Sequence, residues 1–409
     1  MDLKLQVELL KSAKDITISG SKSESNRLLI LQQIYPNLYI ENLSDSDDTH
    51  HLQEALSLAN DIADIGHAGT AMRFLTAFFA TQEDVVKVLQ GSERMHNRPI
   101  EILVDALRDL GAEIEYVEKE GYPPLKITGK KLTKNKISIN GNVSSQYISA
   151  LMLVAPSLQN GLTIELVGKI TSVPYINMTL QLLHQLDIEA SFNDQLIKVA
   201  PKSIINNQTI VVESDWSSAS YFYSIIALSK VGASVKLSAY KKDSLQGDSC
   251  LADIYKHFGV TTIFEENSIL LTKENEGKST VLVQDLKNAP DIAQTIAVTC
   301  FGLGIACDLT GLHTLKIKET DRLEALREEL TKLGADISVT NESLHLKTSS
   351  VIKENVQIAT YNDHRMAMAF APLALKVPIE ILEAEVVTKS YRNFWNDMTS
   401  VGIKSITVK

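Results

Sequence analysis

His364-Arg365-Met366-Ala367-Met368-Ala369-Phe370-Ala371-Pro372-Leu373-Ala374-Leu375 opens on two polar residues and is apolar on every side thereafter. A helix without a polar face has to be buried. The same grammar, a short polar opening followed by a small, Ala-rich helix, occurs six times. The other openings are Ser23-Glu24-Ser25-Asn26-Arg27, Gly69-Thr70-Ala71-Met72-Arg73, Ser144-Ser145-Gln146, Ser217-Ser218-Ala219-Ser220 and Asp291-Ile292-Ala293-Gln294. From the second onward the starts fall at 69, 144, 217, 291 and 364, so the separations are 75, 73, 74 and 73 residues. A fixed period of this length marks a repeated supersecondary unit. Helix N-termini carry unpaired N–H groups and roughly half a positive charge each. Six of them, decorated with Lys, Arg, Ser and Gln, suit the holding of anions.

Each unit has a second, amphipathic helix that stops at Leu110-Gly111, Leu186-Asp187, Phe258-Gly259, Leu333-Gly334 or Val401-Gly402. Alternating strands follow, such as 112–117 and 335–339, and polar turns such as Asn193-Asp194 read as hairpins. The first unit lacks its hairpin, because Gly69 follows Ser23 by only 46 residues, and the last ends in a lone strand, 403–408. The N-terminal strands, 3–19, are expected to complete that last unit. The chain then closes on itself as two lobes of three units each, residues 20–212 inserted into residues 1–19 and 213–409. The crossovers lie near Ser19-Gly20-Ser21 and Glu213-Ser214-Asp215, a natural hinge.

At 409 residues, more than one core is needed. Hydrophobic residues make up 44% and charged residues 22%, as in a soluble globular protein, and no apolar run reaches the ~18 residues of a membrane span. The opening residues are wrong for a secretory signal, and Cys250, Cys300 and Cys307 form no CxxC pair. A cytoplasmic protein with reduced thiols is expected. The net charge of −10 argues against a nucleic-acid partner and makes the basic helix openings stand out.

Gly20-Ser21-Lys22-Ser23 puts small residues and a lysine at a helix mouth, with Arg27 on the face of Ser23. That is an oxyanion or phosphate grip without the spacing of a P-loop; an ordinary capped helix is the alternative. Gly69 allows close backbone approach at a helix start, while Arg73 reads first as a structural ion-pair partner. Arg94 and Arg98 lie in a loop before Pro99, where solvated charges are the alternative. Capping explains one serine of Ser144-Ser145-Gln146 but not the trio. Lys318-Glu319-Thr320-Asp321-Arg322 and Asp363-His364-Arg365 each bring charge to a helix start, which is costly unless paired or bound. Asp291 reads first as a helix cap. No metal-ligand spacing occurs, and Gly302-Leu303-Gly304 is too weak for a dinucleotide site.

Taken in order, these motifs resemble the enolpyruvyl transferase family, and within it the branch acting on shikimate 3-phosphate. Ala68 to Arg73, Lys318 to Arg322, Asn362 to Ala367 and Lys389 carry the resemblance together with the motifs at 20–27, 94–99, 144–146 and 290–291. It implies an α/β (α+β) fold of two lobes, each of three βαβαββ units in an inside-out barrel. It implies transfer of the enolpyruvyl group of phosphoenolpyruvate to the 5-hydroxyl of shikimate 3-phosphate, with no metal or organic cofactor, in the chorismate route. Shikimate 3-phosphate is assigned to Lys22, Ser23, Arg27, Ser144, Ser145, Gln146, Ser172, Tyr175, Asp291, Thr314 and Lys318. Phosphoenolpyruvate is assigned to Lys22, Gly69, Arg94, Gln146, Arg322, Arg365 and Lys389. Asp291 would take the proton of the attacking hydroxyl, Glu319 would serve the methylene carbon, and Lys22 would assist. The lobe 20–212 would be the shikimate side and the other lobe the phosphoenolpyruvate side with the carboxylates. The resemblance also implies inhibition by glyphosate at the phosphoenolpyruvate site, and a monomer is expected.

The sequence departs from the family pattern at Ser19, His67, Glu93, Thr314 and Arg392. The sister activity on UDP-N-acetylglucosamine is expected to need a cysteine in the loop 91–99, which has none. A non-catalytic anion-binding repeat protein would not need both carboxylates beside so many cations.

Overall fold

The computed structural model describes residues 1–7, 15–56, 60–170, 173–277 and 280–408. The fold is mixed α/β. The chain divides into two compact units, Gly20–Val212 and Met1–Ser19 with Glu213–Lys409.

In the unit 20–212, the helices Lys22–Ile34, Gly69–Ala80 and Ser145–Val154 are buried along most of their length. Four-stranded sheets flank them. One runs Ile62–Asp64, Val86–Gln90, Leu125–Thr128, Glu113–Tyr116: a parallel pair, then an antiparallel hairpin. The second, built from Lys136–Asn140, Leu162–Val167, Leu196–Val199 and Ala190–Asn193, repeats that order. Leu38–Glu41, which has no hairpin of its own, pairs in parallel with Gln208–Val211.

The other unit repeats the plan around Trp216–Leu228, Ala293–Leu303 and His364–Phe370. These helices pack closely. A Cβ added at Gly302 would stand 2.7 Å from a Leu228 methyl, so glycine sets the spacing there. The amphipathic helices stop in left-handed conformation at Gly111, Asp187, Gly259, Gly334 and Gly402; at the four glycines there is no Cβ to clash, and aspartate tolerates this conformation better than most residues.

The N-terminal stretch behaves differently from the expectation. Asp2–Val7 pairs with Ile379–Ile381 and Ile403–Val408, completing the last repeat. Asp15–Ile16 instead lies parallel to Ser234–Ser238 in the repeat of helix 216–228. The last sheet already has its parallel pair, Val356–Ile358 with Ile379–Ile381, and needs only one strand. The sheet containing Ser234–Ser238 lacks a parallel leader, and Asp15–Ile16 supplies it.

Candidate functional site

The charged residues of the unit 1–19 and 213–409 gather at three helix starts. Asp321 caps the helix Arg322–Leu333 by accepting from the Glu324 N–H, and this fixes Arg322 at its first position. The Arg322 guanidinium is 2% exposed. It donates to Asp363 at 2.6 Å, to Glu319 at 2.8 Å and to Asp291 at 2.9 Å. Three carboxylates hold its positive charge more firmly than usual despite burial. Lys389 reaches Glu319 at 3.0 Å, Lys318 reaches Asp291 at 3.5 Å, and Arg365 reaches Asp291 at 3.3 Å. Burial pushes the Asp291 carboxyl up, but Arg365, Lys318 and Arg322 outweigh it and hold the group far below the usual carboxylate range.

Asp291 is therefore not the helix cap its position suggested. It lies in a 3-10 turn, Pro290–Ile292, ahead of helix 293–303, makes no capping bond, and turns its carboxylate to the three cations. Asp363, by contrast, does cap, accepting from the Arg365 N–H at 2.9 Å while holding Arg322. The two residues before it, Tyr361 and Asn362, are both left-handed, with φ of 54° and 55°. Each such residue costs about 1–3 kcal/mol. The Tyr361 hydroxyl, within hydrogen-bond reach of the carboxylates of Glu328 and Glu329, anchors this turn by donating to one of them. Thr314 Oγ1 is buried and lacks a hydrogen-bond partner among the described residues.

In the unit 20–212, Arg27 is buried and its donors go to neutral oxygens: the Thr179 hydroxyl at 2.8 Å, the Ser149 hydroxyl at 3.0 Å, the Ser23 carbonyl at 2.7 Å and the Tyr175 carbonyl at 3.4 Å. Desolvation pushes its pKa down to about 10. Lys22 pairs with Asp48 at 3.0 Å. Ser144 caps helix 145–154 and is exposed, while Ser145 is buried. Gln146 donates to the Thr70 hydroxyl at 3.0 Å, beside Gly69. Ser172 lies outside the described residues.

The loops at Gly69 and Arg94 are tied together. Ser92 donates its N–H to Gly66, and its hydroxyl lies 2.7 Å from His67 Nδ1. The departure at His67 thus braces the turn before Gly69. Glu93–His96 forms a single helical turn rather than an open loop. Arg94 is exposed on it, and its side chain has no hydrogen bond or ion pair among the described residues. A Cβ at Gly69 would lie 2.5 Å from Arg98 Nη1, so the glycine makes room for that guanidinium. Arg73 is no ion-pair partner among the described residues: it donates to the Gly69 carbonyl at 3.0 Å and the Pro99 carbonyl at 3.3 Å. Burial and the neighbouring Arg98 charge push its pKa down to about 10.

Within one unit the structure brings together Asp291, Lys318, Glu319, Arg322, Arg365 and Lys389. Within the other it links Ser23, Arg27 and Tyr175, and places Gln146 beside Gly69 through Thr70. Sequence reading missed Asp48, Ser149, Thr179, Asp248 and the pairing of Asp363 with Arg322. None of these has a local signal beyond being polar within an apolar helix or at a helix start. No helix among the described residues is long and apolar enough to cross a membrane.

The family profile described as EPSP synthase (3-phosphoshikimate 1-carboxyvinyltransferase) matches residues 55–398. A 3-phosphoshikimate 1-carboxyvinyltransferase of Bacteroides fragilis (strain YCH46) is 47% identical over 392 residues, covering 95% of each chain. That of Haemophilus influenzae (strain KW20 / Rd) is 34% identical over 426 residues, covering 95% of this chain and 96% of the relative. Among solved structures, an EPSP synthase from Acinetobacter baumannii superposes with a TM-score of 0.80 at 20% identity, over 99% of this chain and 100% of that one. The enolpyruvyl transferase NikO from Streptomyces tendae gives 0.76 at 14% identity, over 100% and 99%. These two likenesses concern the fold.

Proposed function

The chain belongs to the EPSP synthase family, and from that premise we propose that it transfers the enolpyruvyl group of phosphoenolpyruvate to the 5-hydroxyl of shikimate 3-phosphate. One observation supports this above the others: two carboxylates, Asp291 and Glu319, share Arg322 and are flanked by Arg365, Lys318 and Lys389. The reaction adds an alcohol oxygen to C2 of phosphoenolpyruvate and a proton to its methylene carbon. It then expels phosphate as that carbon gives a proton back. Such a sequence needs two proton-handling groups beside cations that hold polyanions.

Asp291 receives the proton of the 5-hydroxyl in this reading, and Glu319 gives and retakes the methylene proton. Asp291 is too weak a base while three cations face it. A bound phosphate or carboxylate that draws Arg365 and Lys318 toward itself relieves that depression and strengthens the base when substrate is present. Arg322, Arg365 and Lys389, with Lys22, Gly69, Arg94 and Gln146, hold phosphoenolpyruvate. Lys22, Ser23, Arg27, Ser144, Ser145, Gln146, Ser172, Tyr175 and Lys318 hold shikimate 3-phosphate. Thr314, with its unengaged buried hydroxyl, joins them through the sugar-like ring. The unit 20–212 is the shikimate side. Glyphosate competes for the phosphoenolpyruvate site, and the enzyme works as a cytoplasmic monomer.

Phosphate release from phosphoenolpyruvate, with and without shikimate 3-phosphate, tests the reading. Release that depends on shikimate 3-phosphate, with a product heavier by one enolpyruvyl group, is expected. Release that depends on UDP-N-acetylglucosamine instead would assign the sister activity. That activity is disfavoured because all three cysteines lie in the other unit, two of them buried.

A further inference from the structure

Arg365 is held by two residues from different elements, Ser217 and Asp291. Its Nη2 lies 3.2 Å from Ser217 Oγ and 3.3 Å from Asp291 Oδ2, and its Nη1 donates to the Asp291 carbonyl at 3.2 Å. A full carboxylate beside a neutral hydroxyl would ordinarily take the guanidinium to itself. Something has to make Ser217 a competitive acceptor.

Asp248 does so. It is 6% exposed, sits in the 3-10 turn Gly247–Cys250, and accepts a hydrogen bond from the Ser217 hydroxyl. A serine hydroxyl has one proton, and committing it to a carboxylate leaves only lone pairs toward Arg365. The turn is itself wired to the start of helix 216–228. Gln246 accepts from the Trp216 N–H at 2.9 Å and donates to the Ser214 carbonyl at 2.9 Å. That wiring places the carboxylate under Ser217 with little freedom.

We propose that Asp248 is a positioning residue for Arg365, acting through the Ser217 hydroxyl. It turns the guanidinium partly away from Asp291 and so keeps it available to an anion. The proposal rests on the reading that Arg365 holds phosphoenolpyruvate. The charged groups facing Asp248 are Asp291 from the turn 290–292, Arg365 from helix 364–370 and Asp215 at the cap of helix 216–228; Cys250 is on its own turn. Burial, then the Asp291 charge, push the Asp248 carboxyl up to about 7 against the pull of Arg365 and Ser217. Ser217 is therefore a forced acceptor only above about neutral pH.

Steady-state kinetics and calorimetry on Asp248→Asn, Ser217→Ala, Ser217→Thr and the double variant D248N/S217A test this. Asp248→Asn and Ser217→Ala each should raise KM and Kd for phosphoenolpyruvate about tenfold, lower kcat by less than that, and leave KM for shikimate 3-phosphate within about twofold. The double variant should be no worse than either single one. Ser217→Thr, which keeps the hydroxyl, should stay within about twofold of wild type. Wild-type kcat/KM for phosphoenolpyruvate should fall as pH drops through about 7, and Asp248→Asn should lose that inflection. Unchanged Kd in the single variants, effects that multiply in the double variant, or an inflection that survives Asp248→Asn would each overturn the proposal. Should Asp248→Asn fail to fold, Ser217→Ala against Ser217→Thr carries the same test. A wild type that binds phosphoenolpyruvate about tenfold more tightly than these variants yet transfers no enolpyruvyl group would keep this proposal and sink the functional one.

Discussion

Arg322 and Arg27 are both buried arginines in the first two turns of helices, and they are neutralised in opposite ways. Arg322 meets three carboxylates within 3 Å, and its charge is held more firmly than in water. Arg27 meets two hydroxyls and two carbonyls, no carboxylate within 4 Å among the described residues, and a pKa pushed down to about 10 by desolvation. Arg73 in the same unit repeats the second pattern. One unit thus carries an internally balanced charge cluster, which can shuffle protons as partners move. The other keeps buried positive charge held by neutral hydroxyl and carbonyl oxygens, a state that an incoming phosphate improves. That contrast fits an assignment of proton chemistry to the first and anion anchoring to the second.

The sharpest way to break the contrast is Arg322→Gln. It strands three carboxylates and should cost about 3–5 kcal/mol of stability, read by denaturant unfolding. The deficit should shrink on acidification. Asp291 has a depressed folded pKa, so its contribution is present above its unfolded value near 3.9 and disappears as pH falls toward the folded one. A deficit that does not shrink as pH falls from about 4 toward 1 would mean the carboxylates do not hold this cluster together.

Asp291→Asn and Glu319→Gln come next. Each should cut turnover at least ~100-fold, about 2.7 kcal/mol, while shikimate 3-phosphate binding survives. Near-normal turnover in either would remove that residue from the chemistry.

Arg27→Gln is the mirror of the first test. Shikimate 3-phosphate affinity should fall roughly 30-fold, while the melting temperature of the free protein barely moves, because no carboxylate loses an ion pair with Arg27. A large loss of stability with intact affinity would make Arg27 structural and erase the distinction between the units.

The smallest effect is expected at Gly69. A methyl there meets the tip of Arg98, a flexible group that can swing aside, so Gly69→Ala should fold normally. Its inhibition constant for glyphosate should rise about tenfold, with KM for phosphoenolpyruvate rising less than threefold, of order 1.4 kcal/mol against 0.6 kcal/mol. Equal losses of both ligands would show that the displaced Arg98, rather than the methyl, is what matters.

Much of the molecule is legible along the chain, because repeats and helix starts are local features. Buried helices announce themselves at 69–80 and 364–375 by having no polar face. Left-handed stops announce themselves by glycine after the last leucine. The motif Lys318 to Arg322 announces charge where an amphipathic helix begins. The sequence alone therefore determined the repeat, its period, the kind of chemistry and most of the proposed site residues, since each depends on residues within a few positions of one another.

Tertiary structure decided who faces whom. Asp291 looks like a cap because helix-opening aspartates usually are; only the approach of Arg322, Lys318 and Arg365 from 27 to 74 residues away turns its carboxylate elsewhere. Arg73 looks like an ion-pair partner because a lone buried arginine usually needs an acid, yet backbone carbonyls at Gly69 and Pro99 satisfy it. Asp15–Ile16 could serve either of two sheets by its own pattern, and the open parallel slot beside Ser234–Ser238 chose for it. Asp248 is one polar residue among many until the fold sets it under Ser217. A pairing between distant segments is a property of packed backbones, and no short window of sequence contains both of its partners.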